Sequence, residues 1–303
     1  MGKLEKRNTL IAYSFLAPNF IGFLVFTMIP VVFSVALSFM DWDGGQNITF
    51  VGLENFRYIF HDFSFTKSNL GIALKNTVYY TIVTVPLTLG CALGLALLLN
   101  KGIRGAKVFR AVLFFPYVAS LVAICVCWNF LLMKNGPFSQ LLSHVGLGFS
   151  KSWTSSRELA IWAIIVVSVW RNAGYYMVMY LAGLQGVPME LYEAATMDGA
   201  NGWQQFRKIT MPMLTPTTFF CSIMMVIYCF KIYDVVAIMT QGGPGRSTKM
   251  LVTYIFELSF GGEGIATSAQ YGVASAVSMV LLVIVLIVTF VQFRGEKKWV
   301  NYM

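Results

Sequence analysis

Residues 188–200 read Pro188-Met189-Glu190-Leu191-Tyr192-Glu193-Ala194-Ala195-Thr196-Met197-Asp198-Gly199-Ala200, a polar stretch set between two long apolar runs. Pro188 suits the first turn of a helix, where its missing N–H costs nothing. Glu190 and Glu193 fall in the early turns, where the helix dipole favours negative charge. Gly199 suits the position just past the helix end, and Gly202 lets the chain turn again. The stretch predicts a short helix, too small and too charged to cross a membrane. A second helix follows it, starting near Trp203 and running on with a bend at Pro212. Leu191, Ala194, Ala195 and Asp198 share one side at three-to-four spacing. The paired alanines leave a smooth surface that another protein's groove can approach closely.

The apolar runs on either side set the fold class. Hydrophobic residues make up 57% of the 303, charged residues 12%, and the mean hydropathy is +0.69; soluble domains carry about 25% charged residues. Six stretches reach the ~20 apolar residues that cross a bilayer: Ile11 to Phe39, Ile72 to Leu99, Val108 to Leu132, Leu159 to Leu184, Pro212 to Met239 and Tyr271 to Phe293. The expectation is an all-α, polytopic membrane protein with six transmembrane helices, a tail over residues 1–10 and a single transmembrane domain over 11–303. The longest polar intervals, Met40 to Gly71, Met133 to Glu158 and Thr240 to Gln270, are too short for a separate soluble domain.

Lys and Arg positions give the orientation. With both termini in the cytoplasm, the inner segments hold twelve basic residues: Lys3, Lys6, Arg7, Lys101, Arg104, Lys107, Arg110, Arg207, Lys208, Arg294, Lys297 and Lys298. The outer segments hold eight: Arg57, Lys67, Lys75, Lys134, Lys151, Arg157, Arg246 and Lys249. The three long polar intervals then face outward, as connectors or as a platform for a large outer partner, with short surface helices carrying Phe56, Tyr58, Ile59 and Phe60. The net charge of +9 is explained by basic flanks that anchor spans to anionic membrane lipid, and nothing calls for nucleic acid. The apolar run from Ile11 is too long for a cleavable leader and reads as an uncleaved anchor.

Metal and nucleotide chemistry find no support. Cys91, Cys125, Cys127, Cys221 and Cys229 all fall in apolar spans without metal-ligand spacing and read as small packing residues; His61 and His144 sit in outer loops without partners. The run Gly242-Gly243-Pro244-Gly245-Arg246-Ser247-Thr248 lacks the Lys that a phosphate-binding loop needs and contains a Pro. No catalytic residue is assigned.

Ionisable groups inside spans cost about 2.5–3.5 kcal/mol each on insertion scales and so face protein or water. Arg171 stands in the fourth stretch, Lys231 and Asp234 in the fifth, among Asn172, Tyr175, Tyr176, Tyr228 and Tyr233. Such a mixture of hydrogen-bonding groups and flat apolar faces suits a sugar. Each also has a plain reading: Arg171 snorkelling from the end of its span, Lys231 and Asp234 neutralising one another three apart on a helix, the tyrosines as packing residues. Gly90-Cys91-Ala92-Leu93-Gly94 permits close helix contact, within the fold or at a subunit interface, of which the fold is the favoured reading.

The run Gly183-Leu184-Gln185, Pro188, Glu193-Ala194-Ala195, Asp198-Gly199-Ala200, Phe206, Ile209 and Pro212 resembles the carbohydrate-type ABC importer permeases. A second match, Thr240-Gln241-Gly242-Gly243-Pro244 with Thr248 beyond, resembles the outer loop that these permeases carry. With six spans, the chain is similar to the shorter sugar and glycerol-phosphate permeases rather than to the maltose-type member with extra N-terminal spans. The resemblance implies that loop 185–212 holds a cytoplasmic coupling helix docking in an ATPase cleft, with Glu190, Glu193, Ala194, Ala195, Asp198, Gly199 and Ala200 as coupling residues. It maps the sugar pathway onto Asn172, Tyr175, Tyr228, Cys229 and Ile232, beside Lys231 and Asp234. It implies a bacterial plasma-membrane location, a second homologous permease subunit, two ATPase subunits and an extracytoplasmic sugar-binding protein. The chain itself would be no enzyme and bind no cofactor; ATP and Mg would belong to the partner ATPase. An ion-coupled secondary transporter with Lys231 and Asp234 as its coupling pair is the alternative.

Overall fold

The computed structural model describes residues 3–144, 152–261 and 269–300; Lys151 and part of the third outer interval lie outside them. Four helices are long and apolar enough to cross a membrane: Ile11–Leu37, Asn69–Asn100, Ala160–Gln185 and Tyr271–Lys297. Two pairs pass the same test together, Ala106–Val118 with Leu121–Leu131, bent by 97°, and Gly202–Met213 with Thr215–Phe230, bent by 62°. Taking each bent pair as one span gives the six expected, but the third and fifth are not the straight rods that hydropathy suggests.

The third span breaks at Ala119 and Ser120, whose backbones are extended with ψ of 156° and 120°. The fifth, expected to reach Met239, ends at Phe230, and a separate helix runs over Asp234–Met239. Lys231 and Asp234 therefore stand on either side of a break and do not share a helix face. No ion pair joins them among the described residues.

The chain forms two compact units. One comprises Met1–Asp62 and Ile255–Val280. In it, the first span carries a π-helical turn at Leu24–Met28, where the Ile29 N–H reaches back to the Leu24 carbonyl. Pro30 follows at once and cannot supply the next regular helical bond. Beyond the span, Met40 pairs with Phe50 and Asp41 with Thr49 in a short antiparallel ladder. The surface helix expected around Phe56 spans Glu54–Phe60, with Ile59 buried and Tyr58 and Phe60 exposed. Buried Asn55 donates from Nδ2 to the carbonyls of Ser38 (3.1 Å) and Met40 (2.8 Å), fastening the ladder to the end of the first span. The Tyr271 N–H donates to the Trp42 carbonyl at 3.0 Å, and their rings lie 5.1 Å apart.

The other unit comprises Phe63–Tyr254 and Leu281–Met303. Its centre is the packing of Asn69–Asn100 and Thr215–Phe230 against Ala160–Gln185, with Tyr80, Ile164, Met177, Tyr180 and Met225 fully buried. Thr77 and Thr81 return their hydroxyls to the carbonyls of Ala73 and Thr77, so these polar side chains are satisfied inside their own helix. Gly174 is placed where a Cβ would collide with the Leu113 carbonyl, which lets the third and fourth spans approach at backbone distance.

Gly90 and Gly94 behave differently from the expectation. Both are exposed, and a Cβ on either would meet nothing within 4 Å, so this face of the second span makes no close contact within the fold. Cys125, Cys221 and Cys229 are buried, and Cys91 and Cys127 exposed, all as free thiols. Phe15, Phe26, Phe115 and Phe290 stand out from their spans, as side chains solvated by lipid hydrocarbon do.

Candidate coupling loop and transport pathway

The cross helix spans Met189–Met197, with Pro188 as its N-cap rather than its first helical residue. It stops as the sequence requires. Gly199 takes a left-handed φ of +77°, its N–H donates to the Thr196 carbonyl at 3.0 Å, and the Ala200 N–H donates to the Ala195 carbonyl at 2.9 Å. This pair of bonds closes the helix end in a Schellman motif. Asn201 then opens the next helix. Its Oδ1 accepts from the Gln204 N–H at 2.9 Å, and the Gln204 side chain accepts from the Asn201 N–H at 2.8 Å. Asn201 and Gln204 form a capping box, a signal that the sequence carries in the spacing of these two residues.

The fifth span begins with a second π-helical turn, Phe206–Thr210, where the Met211 N–H reaches the Phe206 carbonyl and Pro212 follows. The arrangement repeats that at Leu24–Met28 and Pro30, with the same offset between turn and proline. Pro216 likewise has no N–H for the Pro212 carbonyl, and the Thr215 hydroxyl donates to that carbonyl instead at 2.7 Å. The 62° bend falls at this point.

Side chains stitch the cross helix to this turn. The Tyr192 and Thr210 hydroxyls are 2.9 Å apart, and Gln205 Nε2 donates to the Thr196 hydroxyl at 3.0 Å and to the Ala200 carbonyl at 3.3 Å. Yet no residue of the cross helix is buried. Glu190, Glu193, Ala194, Asp198 and Gly199 are exposed, Ala195 and Ala200 half-buried. Met189, Met197 and Trp203 are 68%, 89% and 69% exposed, a large apolar surface on an otherwise polar loop.

A second polar cluster lies inside the membrane-spanning helices. Arg171 is eleven residues from the start of Ala160–Gln185 and fourteen from its end, in the middle of the span rather than at an edge from which it could snorkel. Its Nη2 donates to the Tyr117 carbonyl at 3.3 Å, and its guanidinium carbon lies 5.3 Å from the centre of the Tyr117 ring. Tyr117 stacks on Tyr175, with centroids 4.5 Å apart and planes at 20°. Tyr228 stands beside Asn172 and Arg171, and Asn172, almost wholly buried, donates to the Ser168 carbonyl at 2.8 Å.

The fold thus brings together Asn172, Tyr175 and Tyr228. Cys229 is buried on the side of Tyr80. Lys231 and Asp234 are exposed on either side of the break, with Ile232 buried between them. Sequence reasoning missed Tyr117, which enters the cluster because the third span ends its first arm at Val118; Pro116 in that apolar run was the available signal. Among the described residues no group of His, Cys, Asp and Glu could hold a metal ion.

The loop after Met239, expected on the outer face, is also built. Gln241, Gly242, Gly245 and Arg246 have positive φ. The Thr248 hydroxyl donates to the Gly243 carbonyl at 2.6 Å and lies 2.8 Å from the Thr240 hydroxyl. Asn76 on the second span donates to the Arg246 and Lys249 carbonyls at 3.1 and 3.0 Å, and Arg246 Nη1 donates to Asn69 Oδ1 at 3.0 Å.

Comparison with known families settles the lineage of this arrangement. Residues 86–299, which include both bent spans, the cross helix and the outer loop, match the family described as binding-protein-dependent transport system inner membrane component. The chain belongs to that family. Among permeases of this kind it is similar to a probable ABC transporter permease protein, YesP, of Bacillus subtilis (strain 168), at 36% identity over 98% of this chain and 94% of that one. It is 33% identical to the lactose transport system permease protein LacF of Rhizobium radiobacter, over 94% of this chain and 93% of that one. Its fold is that of a chain in the crystal structure of a bacterial alginate ABC transporter in complex with an alginate pentasaccharide-bound periplasmic protein. The TM-score there is 0.79 at 22% identity, covering 97% of this permease and 96% of that chain.

Proposed function

We propose that this permease is the membrane subunit of an ATP-driven, binding-protein-dependent importer for a sugar or oligosaccharide, with residues 11–303 as its transmembrane domain. The stitched cross helix carries this reading: a helix with no buried residue, with exposed Met189, Met197 and Trp203, and tied by side chains to the foot of a span is suited to transmit a partner's movement. The sugar class is supported by LacF, whose name records lactose, and by the alginate transporter that shares the fold.

Membership of a binding-protein-dependent transport family supports the following partners. The permease pairs with a second, homologous one; two ATPase subunits sit on the cytoplasmic side, together with both termini, and an extracytoplasmic sugar-binding protein docks on the other. ATP and Mg are held by the ATPases. Their closure moves Glu190 to Ala200, with Glu193, Ala194, Ala195, Asp198 and Gly199 forming the contact. Tyr192 and Thr210 pass the displacement to the fifth span, which turns at Leu214. The pathway beside Asn172, Tyr175, Tyr228 and Cys229, with Lys231, Ile232 and Asp234 at its end, then opens outward to receive the sugar.

Purification of the tagged chain in mild detergent, followed by ATP-dependent uptake in proteoliposomes, tests this. Recovery of a second permease and an ATPase, with loss of the ATPase on Glu193→Lys, is the expected result. A chain recovered alone, moving solute without ATP and stopping when an ion gradient is collapsed, would overturn it in favour of the secondary carrier.

A further inference from the structure

We propose that the solute carried by this permease bears an acidic group, a carboxylate, sulfate or phosphate ester on the saccharide, and that Arg171 receives it. The inference rests on the importer reading above and adds the charge of the cargo. Arginine cannot discharge itself by losing a proton, and it carries five N–H donors in a rigid fork. At mid-span such a group is costly unless acceptors surround it.

Arg171 has few. One donor, on Nη2, reaches a backbone carbonyl at 3.3 Å, near the long end of the range, the neutral Tyr228 hydroxyl stands within reach of the guanidinium, and the Tyr117 ring supplies a face but no negative charge. Its Nε is shielded from solvent and has no acceptor among the described residues. Asp234, which shares Cys125 as a neighbour with Arg171, forms no ion pair with it.

The surroundings fit an acidic sugar better than a bare anion. Tyr117 and Tyr175, stacked on each other, offer flat apolar surface for the C–H face of a pyranose. Tyr228 stands beside both the guanidinium and Asn172, and its hydroxyl and the Asn172 amide can bond to hydroxyls. A carboxylate or sulfate would take the planar fork through two parallel hydrogen bonds, a geometry that the small ammonium of a lysine cannot match. A neutral sugar would leave the buried Nε as it is.

The test uses the complete importer, co-purified with its partner subunits and reconstituted in proteoliposomes. The liposomes receive one mixture of neutral gluco- and galacto-oligosaccharides, oligogalacturonides and oligoalginates, sulfated galactans and sn-glycerol 3-phosphate, and mass spectrometry reads what enters with ATP. Uptake confined to the charged members is expected. Arg171→Gln should lower it roughly tenfold to a hundredfold at sub-saturating solute, the range of one charge-assisted hydrogen bond. Arg171→Lys should restore part of it, which separates lost charge from lost folding. ATP-dependent uptake of neutral sugars alone, or equal uptake of charged sugars by Arg171→Gln, overturns the acidic-cargo inference and leaves the importer standing. Entry of none of the compounds overturns the sugar-importer reading itself.

Discussion

The hydroxyl of Tyr192, on the exposed cross helix, lies 2.9 Å from the hydroxyl of Thr210, in the π-helical turn that opens the fifth span. Eighteen residues separate them in sequence, and the Schellman stop at Gly199 and the capping box at Asn201 fold the chain back so that they meet. Removing the bond with Tyr192→Phe leaves the ring and its packing. A hydrogen bond of this kind contributes about 0.5–1.5 kcal/mol. The expected outcome is a fold that survives purification, ATP hydrolysis that continues, and solute moved per ATP reduced several-fold. Parallel assays of uptake and phosphate release in proteoliposomes check it; an unchanged ratio would show that the link carries no movement.

Gly199→Pro should abolish transport while leaving the chain inserted. Proline fixes φ near −65°, whereas Gly199 sits at +77°, and the substitution also deletes the N–H that bonds Thr196. Gly199→Ala should be milder, costing about 1–2 kcal/mol for a left-handed residue with a side chain. Cysteine-accessibility mapping of the loops reads insertion, and uptake reads function; normal uptake by well-expressed Gly199→Pro would refute the assignment of this turn.

Gly174→Ala and Gly94→Ala should differ sharply, although both are glycines in long spans. A methyl at Gly174 collides with the Leu113 carbonyl, and overpacking of this kind costs about 1–3 kcal/mol. A methyl at Gly94 meets nothing within 4 Å of this chain. Thermal unfolding in detergent, followed by size-exclusion chromatography, should show a lowered midpoint for the first and none for the second. Equal midpoints would contradict the close approach of the third and fourth spans.

Asn76→Ala removes both bonds that hold the Arg246 and Lys249 carbonyls to the second span. Each contributes about 1 kcal/mol, so the loop after Met239 should become several-fold more susceptible to limited proteolysis near Arg246, with the spans uncut. A cleavage rate equal to that of the unaltered chain would mean that the loop is held by other contacts.

How far the sequence was legible follows the range of the forces involved. The cross helix could be read because Pro188, Glu190 and Gly199 act on neighbouring backbone, and the spans because lipid demands apolar length. The break after Phe230 could not: Lys231-Ile232-Tyr233 contains neither Gly nor Pro, so nothing local stops the helix. Tyr117 is a different case: Pro116 beside it hints at an interrupted span, but Tyr117 joins Arg171 only through the packing of separate spans, which no local signal states. Gly90 and Gly94 illustrate the reverse limit, since small-residue spacing states that close contact is possible without saying with what.

The bend in the third span bears on how the chain is made. Its arms, Ala106–Val118 and Leu121–Leu131, have 13 and 11 residues, each well short of the ~20 needed to cross a bilayer. In its folded form neither arm is a membrane segment in its own right, and the first is held by the backbone contact between Leu113 and Gly174. The expected consequence is that the third span settles into its final shape only once the fourth has been translated. A chain halted after Leu132 should leave that stretch in a different topology, readable by accessibility of Cys125 and Cys127, from the one it holds once Ala160–Gln185 is present.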